Sequence, residues 1–170
     1  TALFVSSSRP IRDLEGFAVP RSGVVTYANR GLAGIDGNIS TALGIAHSHK
    51  ATIAILGDLS FLYDLTGLIQ KEEINCRFIV INNDGGGIFS TLPQRGAHGF
   101  ETVFGTPHGL NPAEIAKSMG VSAKQISSSK ELEEEVKAPI SGISVVVCDV
   151  PDRESNADNL KAIYESLKSF

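Results

Sequence analysis

Short runs of apolar, largely β-branched residues recur along the chain. The three clearest occupy residues 52–56 (TIAIL), 78–81 (FIVI) and 143–147 (ISVVV), and two weaker runs occupy residues 2–5 and 24–28. Nearly unbroken runs of this length are typical of strands that are buried on both faces, as in parallel sheets. The pattern therefore predicts a strand at each of these five places.

The segments between these runs have the periodicity of helices. Apolar residues recur there at intervals of three and four, which is the spacing of one buried helix face. Pro10 and Pro112 stand where proline commonly starts a helix. The predicted helices cover residues 11–17, 39–46, 61–70, 113–119 and 160–167.

Strands and helices therefore alternate along the chain. That order predicts an α/β fold, a doubly wound and mostly parallel sheet of about six strands with helices on both faces. Ligands of such sheets bind at the carboxyl ends of the strands. Residues 83–111 break the alternation, because they are rich in glycine and other turn formers and follow neither period. A loop of this length is usually functional or mobile.

Composition and charge narrow the class of protein. The chain has 170 residues, of which 42% are hydrophobic and 20% are charged, so it has enough apolar material for one core. The net charge of −4, without a long basic run, argues against a nucleic-acid-binding protein. No apolar stretch approaches the roughly 20 residues that a membrane-spanning helix requires.

Two further features concern the setting of the chain. Cys76 and Cys148 lie in or beside apolar runs without metal-ligand spacing, so we expect reduced, buried thiols and a cytoplasmic location. The chain begins with Thr1 and enters an apolar run at once, with neither an initiator methionine nor a signal peptide. We therefore expect residues 1–170 to form one domain that belongs to a longer chain.

Residues suited to ligand chemistry concentrate after two of the predicted strands. The sequence GDLS at residues 57–60 directly follows one strand, and NNDGGG at residues 82–87 directly follows the next. In a parallel sheet both segments leave at one edge, which brings Asp58 and Asn83 toward a common point. A carboxylate, an amide oxygen and a backbone carbonyl are hard ligands suited to Mg²⁺ or Ca²⁺, and Mg²⁺ favours completion by phosphate oxygens.

Backbone N–H groups are expected to complete an anion site at this edge. Ser60 would open a helix whose free N–H groups face the anion, and the backbone of residues 85–87 would form a second anion-binding nest. The sequence thus predicts a diphosphate bridged by a metal ion. The competing interpretation is that GDLS is a helix cap and NNDGGG a turn, since Asp, Asn, Ser and Gly are common in both.

The same two segments resemble the cofactor motif of the thiamine diphosphate enzymes. The resemblance implies thiamine diphosphate with Mg²⁺, or Mn²⁺ as an alternative, as cofactors. It implies that Asp58, Asn83 and the backbone carbonyl of Gly85 hold the metal. Leu59 departs from the family pattern, where many members have glycine, and the 22 residues from Ser60 to Ile81 are fewer than usual. The positions that the resemblance assigns to cofactor binding are Ile35, Gly57, Asp58, Leu59, Ser60, Asn83, Gly85, Gly86 and Ile88.

Further segments resemble one branch of that family, the synthases of menaquinone biosynthesis. The leucine of GDLS agrees with this branch. The matching segments are SRPIRD (8–13), NRG (29–31), GIDG (34–37), GDLS (57–60), YDL (63–65), GGIFS (86–90), LP (92–93) and FGTPHGL (104–110).

This resemblance implies a fold, a reaction and partners. The chain would be the C-terminal, diphosphate-binding domain of an enzyme that decarboxylates 2-oxoglutarate and adds the resulting carbanion equivalent to isochorismate. The substrates are small anions. The partners would be an N-terminal pyrimidine-binding domain and a central domain, in a homodimer or homotetramer of the full-length chain. The glutamate that activates the cofactor would lie in the missing part, so the chain contains no catalytic residue of its own.

The resemblance also assigns a substrate pocket. Arg12 and Arg30 would bind carboxylates with their planar guanidinium groups, for which the alternative is a surface ion pair, of Arg12 with Asp13 or Glu15. Ile35 would support the bent cofactor, whereas its pattern alone indicates a core residue. The positions assigned to substrate binding are Ser8, Arg12, Arg30, Ile88, Phe89 and Leu92.

Several alternatives stay open at this point. Ile88, Phe89 and Leu92 would also suit apolar anchors that fix the loop to the core. His98 and His108 lie in the same loop, and the matched motifs assign them no role. Another thiamine diphosphate-dependent 2-oxo acid decarboxylase or an acetolactate-type synthase would differ in its substrate anchors. A non-catalytic phosphate-binding module would need a phosphate loop after the first strand, where residues 6–8 lack the glycine fingerprint.

Overall fold

A six-stranded parallel sheet forms the centre of the computed structural model, which describes residues 1–32, 34–70 and 72–168. The strand order is β2-β1-β3-β4-β6-β5, and every neighbouring pair is parallel. The strands are β1 (Ala2–Val5), β2 (Val25–Tyr27), β3 (Thr52–Gly57), β4 (Cys76–Asn82), β5 (Ser122–Ile126) and β6 (Ile143–Asp149).

Helices connect the strands, as parallel pairing requires. They are α1 (Arg9–Phe17), α2 (Asn38–Ala46), α3 (Asp58–Leu62), α4 (Pro112–Ser118), α5 (Ser129–Lys137) and α6 (Arg153–Leu167). Two short 3₁₀ turns cover Leu65–Leu68 and Phe89–Thr91, and a π-helical turn covers Glu101–Gly105. Within the described residues, no helix is both long enough and apolar enough to cross a membrane.

The two faces of the sheet carry different amounts of apolar packing. The larger cluster joins Phe4, Leu56, Phe78 and Val80 from the strands to the buried faces of α2 and α4. The smaller cluster, on the opposite face, is built around Ile79, Val146 and Cys148, and Leu132 of α5 packs against it. Helices therefore cover both faces, which confirms the predicted doubly wound α/β fold.

The predicted helix over residues 61–70 is wrong. The helix is α3, which starts at Asp58 and ends at Leu62, and a 3₁₀ turn follows it. Asp64 causes the break, because its carboxylate accepts the backbone N–H of Ser40 at 2.8 Å and its carbonyl accepts the N–H of Gly67 at 2.9 Å. Gly67 allows the close approach to α2, since a Cβ there would lie 2.7 Å from Ser40 Oγ.

A buried charge stands at the start of β4. Arg77 is 7% exposed, and its guanidinium donates hydrogen bonds to the carbonyls of Ala138 and Pro139, each at 3.0 Å, and to that of Glu135. These carbonyls lie at the carboxyl end of α5, where a cation is favoured by the helix dipole. Arg77 therefore closes the end of α5 and fixes it to the sheet.

Both cysteines are free thiols in the core. Burial raises the pKa of Cys76 to about 12, and burial together with the charges of Asp149 and Glu131 raises that of Cys148 to about 11. A raised pKa lowers the thiolate fraction, and the thiolate is the reactive species. At pH 8 we expect iodoacetamide to alkylate both residues at least ~100-fold more slowly than a free thiol. Peptide mass spectrometry with and without denaturant checks this, and equal rates in both conditions would contradict the burial.

Candidate functional site

A cavity of about 910 Å³ opens at the carboxyl edge of the sheet. It lies where the chain order reverses, between β1 and β3, which is the usual ligand position in open α/β sheets. Its volume is within the range of small-molecule sites. The residues of the predicted site that line it are Ser8, Arg12, Arg30, Ile35, Gly57, Asp58, Leu59, Ser60, Asn83, Gly85, Gly86, Ile88 and Phe89. Leu92 is absent from the lining.

Asp58 joins the two polar segments at the floor of this cavity. It is 2% exposed, and its Oδ1 accepts the backbone N–H of Leu59 at 2.7 Å. Its Oδ2 accepts the N–H of Asn83 at 3.2 Å and that of Gly85 at 2.9 Å. The carboxylate therefore holds the loop after β4 against the start of α3, and the convergence predicted from the strand order is present.

The residues around Asp58 offer oxygen atoms for a cation. Within the described residues the side-chain amide of Asn83 makes no hydrogen bond, and it lies against Gly87, where a Cβ would meet its Nδ2 at 2.2 Å. The carbonyl of Gly85 accepts the N–H of Gly87 at 2.9 Å and keeps a second lone pair. The described part of the chain holds no group of three or more His, Cys, Asp or Glu side chains able to bind a metal. A metal held by Asp58, Asn83 and the Gly85 carbonyl would have hard oxygen ligands and would complete its shell from the bound ligand.

The predicted anion-binding nest is wrong, because all three of its N–H groups have partners in the protein. The N–H of Gly85 donates to Asp58, that of Gly86 to the carbonyl of Gly105 at 2.8 Å, and that of Gly87 to the carbonyl of Gly85. The glycines instead allow close packing. A Cβ at Gly85 would meet the Gly105 carbonyl oxygen at 2.1 Å.

The first turn of α3 is the other place where the sequence predicts donors for an anion. This helix starts at Asp58, two residues before the predicted start at Ser60, so Leu59 and Ser60 lie in its first turn. First-turn N–H groups have no intrahelical partner. The N–H of Leu59 is taken by the Asp58 carboxylate. Ser60 lines the cavity.

Sequence reasoning left the role of His108 open, and the structure places it against Asp58. Nε2 of His108 lies 3.3 Å from Asp58 Oδ2, and the imidazole is 10% exposed. Asp84 holds this part of the chain, because its Oδ1 accepts the backbone N–H groups of His108 at 2.9 Å and Gly109 at 2.8 Å. No periodic pattern connects the two segments, so the sequence offered no direct signal for this contact.

Two carboxylates near the cavity have shifted pKa values. Burial raises the pKa of Asp13, and the charge and hydrogen bond of Arg9 only partly oppose it. Burial would also raise the pKa of Asp84, but backbone hydrogen bonds from Gly109 and His108 outweigh it and hold that pKa below its usual value. The lowered pKa favours the ionised form of Asp84, which accepts the backbone N–H groups of His108 and Gly109.

Arg12 and Arg30 reach the cavity as exposed side chains. Neither makes an ion pair or a hydrogen bond with any residue that the structure describes. Asp13 pairs with Arg9 instead, with 2.6 Å between Nη2 and Oδ1. The alternative of a surface ion pair, of Arg12 with Asp13 or Glu15, is therefore wrong among the described residues, and both guanidinium groups are free to bind an anion.

The apolar part of the lining comes from Ile35, Ile88 and Phe89, all of them half-buried. Phe89 also contacts Phe104, with 5.3 Å between the ring centroids, so it serves the loop and the cavity together. Ser8 borders the cavity with a φ of 76°, an uncommon conformation for a residue other than glycine that is often found at functional sites.

Comparison with known proteins assigns the family. Residues 16–150 match the family described as thiamine pyrophosphate enzyme, C-terminal TPP binding domain. The chain belongs to this family. The matched range includes Arg30, Asp58 and Asn83, and it stops short of Ser8 and Arg12. This assignment confirms the resemblance seen in GDLS and NNDGGG, and it makes the chain a thiamine diphosphate-binding domain.

Individual relatives cover nearly all of this TPP-binding domain. The 2-succinyl-5-enolpyruvyl-6-hydroxy-3-cyclohexene-1-carboxylate synthase of Thermobifida fusca (strain YX) is 40% identical over 173 residues, which is 97% of this chain and 31% of the relative. The enzyme of the same name from Bacillus cytotoxicus is 44% identical over 161 residues, which is 91% of this chain and 27% of the relative. The chain thus spans about 30% of the length of these relatives.

A solved structure shows the same fold at lower identity. The benzoylformate decarboxylase from Polynucleobacter necessarius superposes with a TM-score of 0.60 at 21% identity, covering 89% of this chain and 30% of that chain. The similarity supports the fold of the TPP-binding domain.

Proposed function

We propose that residues 1–170 form the C-terminal, diphosphate-binding domain of a 2-succinyl-5-enolpyruvyl-6-hydroxy-3-cyclohexene-1-carboxylate synthase. Such an enzyme decarboxylates 2-oxoglutarate and adds the four-carbon unit to isochorismate in menaquinone biosynthesis. The observation that carries the proposal is the 40% and 44% identity to two synthases of this name over almost the whole chain. The cavity supports it, because two unpaired arginines stand at the same opening as Asp58 and Asn83.

Asp58, Asn83 and the carbonyl of Gly85 would hold Mg²⁺, with Mn²⁺ as the alternative, against the cofactor diphosphate. The donor set fits this role, because it consists of hard oxygens and leaves part of the metal shell to phosphate. Thiamine diphosphate supplies the ylid and the electron sink for the decarboxylation. The remaining residues assigned to cofactor contact are Ile35, Gly57, Leu59, Ser60, Gly86 and Ile88, all of which line the cavity.

Arg12 and Arg30 would bind the substrate carboxylates. A guanidinium presents a planar pair of N–H donors that matches a carboxylate, and both groups are free in the described structure. Ser8, Ile88 and Phe89 line the same space and would shape it around the carbon skeleton. Leu92 lies outside the lining, so we assign it no contact with substrate.

The rest of the enzyme would come from other parts of a longer chain. An N-terminal pyrimidine-binding domain would supply the activating glutamate, and a central domain would join the two. The full-length chain would assemble as a homodimer or homotetramer in the cytoplasm, where its anionic substrates are dissolved. On this proposal the 170-residue domain alone has no activity.

The direct test uses the full-length protein that contains this chain. Purified enzyme with Mg²⁺ and thiamine diphosphate is given 2-oxoglutarate and isochorismate, and the adduct is detected by mass spectrometry. We expect the adduct to form from 2-oxoglutarate and not from pyruvate. Turnover of pyruvate or of another monocarboxylic 2-oxo acid, in place of 2-oxoglutarate, would indicate a decarboxylase or an acetolactate-type synthase.

Replacing Arg30 by Lys separates substrate binding from cofactor binding. An ammonium group cannot form two parallel hydrogen bonds to a carboxylate, so we expect kcat/KM to fall by about 10- to 100-fold, the scale of a hydrogen bond to a charged group. The affinity for thiamine diphosphate should stay unchanged. Arg21→Lys is the matched control, because Arg21 is exposed and lies outside the cavity lining. Wild-type kinetics in Arg30→Lys would show that Arg30 does not bind substrate.

A further inference from the structure

The contact between His108 and Asp58 has no part in the metal site described so far. His108 belongs to the segment 104–110, which lies beyond a glycine-rich loop and is separated from Asp58 by 50 positions in the sequence. Its imidazole is 10% exposed and Asp58 is 2% exposed, so solvent has little access to the contact. Because this contact is largely buried and involves a proposed metal ligand, it raises the question of what His108 does for Asp58.

The hydrogen bonds of the imidazole define its orientation. The backbone N–H of Leu110 donates to Nδ1 of His108 at 3.0 Å, which requires a lone pair on that nitrogen. Nδ1 also lies 3.6 Å from Asp84 Oδ1, which is too far for a hydrogen bond. The ring proton then belongs on Nε2, which faces Asp58 Oδ2 at 3.3 Å. Nε2 is thus a donor to the carboxylate, and the backbone of the same segment sets its direction.

The 104–110 segment is itself fixed against the loop that follows β4. Asp84 accepts the N–H groups of His108 and Gly109, and Gly86 donates to the carbonyl of Gly105 at 2.8 Å. The packing is close enough that a Cβ at Gly86 would meet the Phe104 carbonyl oxygen at 2.1 Å. His108 therefore has little freedom to leave Asp58 while this packing holds.

We propose that His108 is a positioning residue of the metal site, which orients the Asp58 carboxylate for the cation by donating from Nε2 to Oδ2. The inference rests on the proposed metal site and adds a residue to it. Three donors share Oδ2, namely Nε2 and the N–H groups of Asn83 and Gly85. The two N–H groups belong to the loop that carries the other metal ligands. His108 is the donor that comes from elsewhere, so it links the 104–110 segment to the metal.

The test measures metal affinity in the full-length protein. Mg²⁺ is titrated by calorimetry at saturating thiamine diphosphate. Loss of an outer hydrogen-bond partner of a metal ligand typically weakens metal binding 10- to 100-fold. We expect Mg²⁺ affinity to fall by this factor in His108→Phe, which keeps an aromatic ring but has no hydrogen-bond donor. His98→Phe is the matched control, because His98 is an exposed histidine of the same loop that makes no hydrogen bond with the described residues. It should bind Mg²⁺ as the wild type does.

Two further variants separate positioning from packing. In His108→Gln the amide nitrogen of the new side chain can reach the position of Nε2 and donate to Asp58. We therefore expect Mg²⁺ affinity within about threefold of wild type. His108→Asn keeps an acceptor for Leu110 but is too short to reach Asp58, so we expect the same loss as in His108→Phe. Equal affinities in the Gln and Asn variants would overturn the inference, and this comparison stands even where His108→Phe fails to fold.

The outcomes also distinguish this inference from the proposed function. Wild-type affinity in both His108→Phe and His108→Asn would overturn the positioning role and leave the metal site in place. Absence of Mg²⁺-dependent cofactor binding in the wild type would overturn the metal site itself, and His108 would lose its role with it.

Discussion

Replacing Asp58 by Asn is expected to weaken Mg²⁺-dependent binding of thiamine diphosphate by about 1.5 to 3 kcal/mol, the scale of a charged hydrogen-bonded group. This corresponds to about a 10- to 150-fold higher Kd. Two effects act together. The variant removes the negative charge that would face the cation. It also replaces one accepting oxygen by an NH₂ group. Because both oxygens of Asp58 accept backbone N–H groups, the NH₂ group would face a donor and lose that hydrogen bond. Calorimetric titration of cofactor at fixed Mg²⁺ measures the change.

A second carboxylate of the cavity provides the control for Asp58→Asn. Asp13 lines the same cavity, but it pairs with Arg9 and makes no hydrogen bond or ion pair with GDLS or NNDGGG. Asp13→Asn should therefore leave cofactor affinity within about twofold of wild type. Equal losses in both variants would mean that the cavity responds to overall charge, and unchanged affinity in Asp58→Asn would remove Asp58 from the metal site.

The sequence was a good guide to the central strands, because both of their faces are buried. Strands that are buried on both faces have nearly continuous apolar runs, and those of β4 and β6 include Phe78, Val80, Val145 and Val147. Strand β5 was missed for the opposite reason. It lies at the edge of the sheet, and of its residues Ser122–Ile126 only Ile126 is buried, so SAKQI contains no apolar run.

Prediction of the site succeeded where regular strands bring the residues together and failed where irregular segments pack on each other. The meeting of Asp58 and Asn83 follows from two strands that end at one sheet edge, and it could be predicted. The contact of His108 and the hydrogen bond that takes the Gly86 N–H out of the predicted nest have one common origin, the packing of the 104–110 segment on the loop after β4. That packing joins irregular segments, and neither has a period that would place it relative to the other.

Gly86 is where this packing can be tested directly, and Gly86→Ala is expected to disrupt it. The added Cβ would lie 2.1 Å from the Phe104 carbonyl oxygen and 2.9 Å from Phe89 Cδ2. A backbone carbonyl cannot rotate away as a side chain can. Gly86 has no positive φ, so the backbone conformation itself does not oppose alanine. The effect of this variant therefore reports the contact alone.

Relief of this contact requires the 104–110 segment to move away from the loop, which also breaks the hydrogen bond from Gly86 to Gly105. Overpacking costs about 1–3 kcal/mol and the lost hydrogen bond about 1 kcal/mol, so the free energy of unfolding should fall by about 2–4 kcal/mol. For a domain of this size that lowers Tm by roughly 5–15 °C. Movement of the segment also withdraws His108 from Asp58, so Mg²⁺ affinity should fall together with stability.

Gly44→Ala is the matched control for Gly86→Ala. Gly44 lies within α2, and a Cβ there would meet nothing within 4 Å. Because alanine favours the helix over glycine by about 1 kcal/mol, this variant should be neutral or more stable. Thermal denaturation compares the two, and hydrogen exchange at the Gly86 amide reports its bond to Gly105 directly. A wild-type melting temperature in Gly86→Ala, together with a protected amide at residue 86, would show that the 104–110 segment adapts to the added methyl group. In that case His108 would be held by Asp84 and Leu110 rather than by the glycine packing.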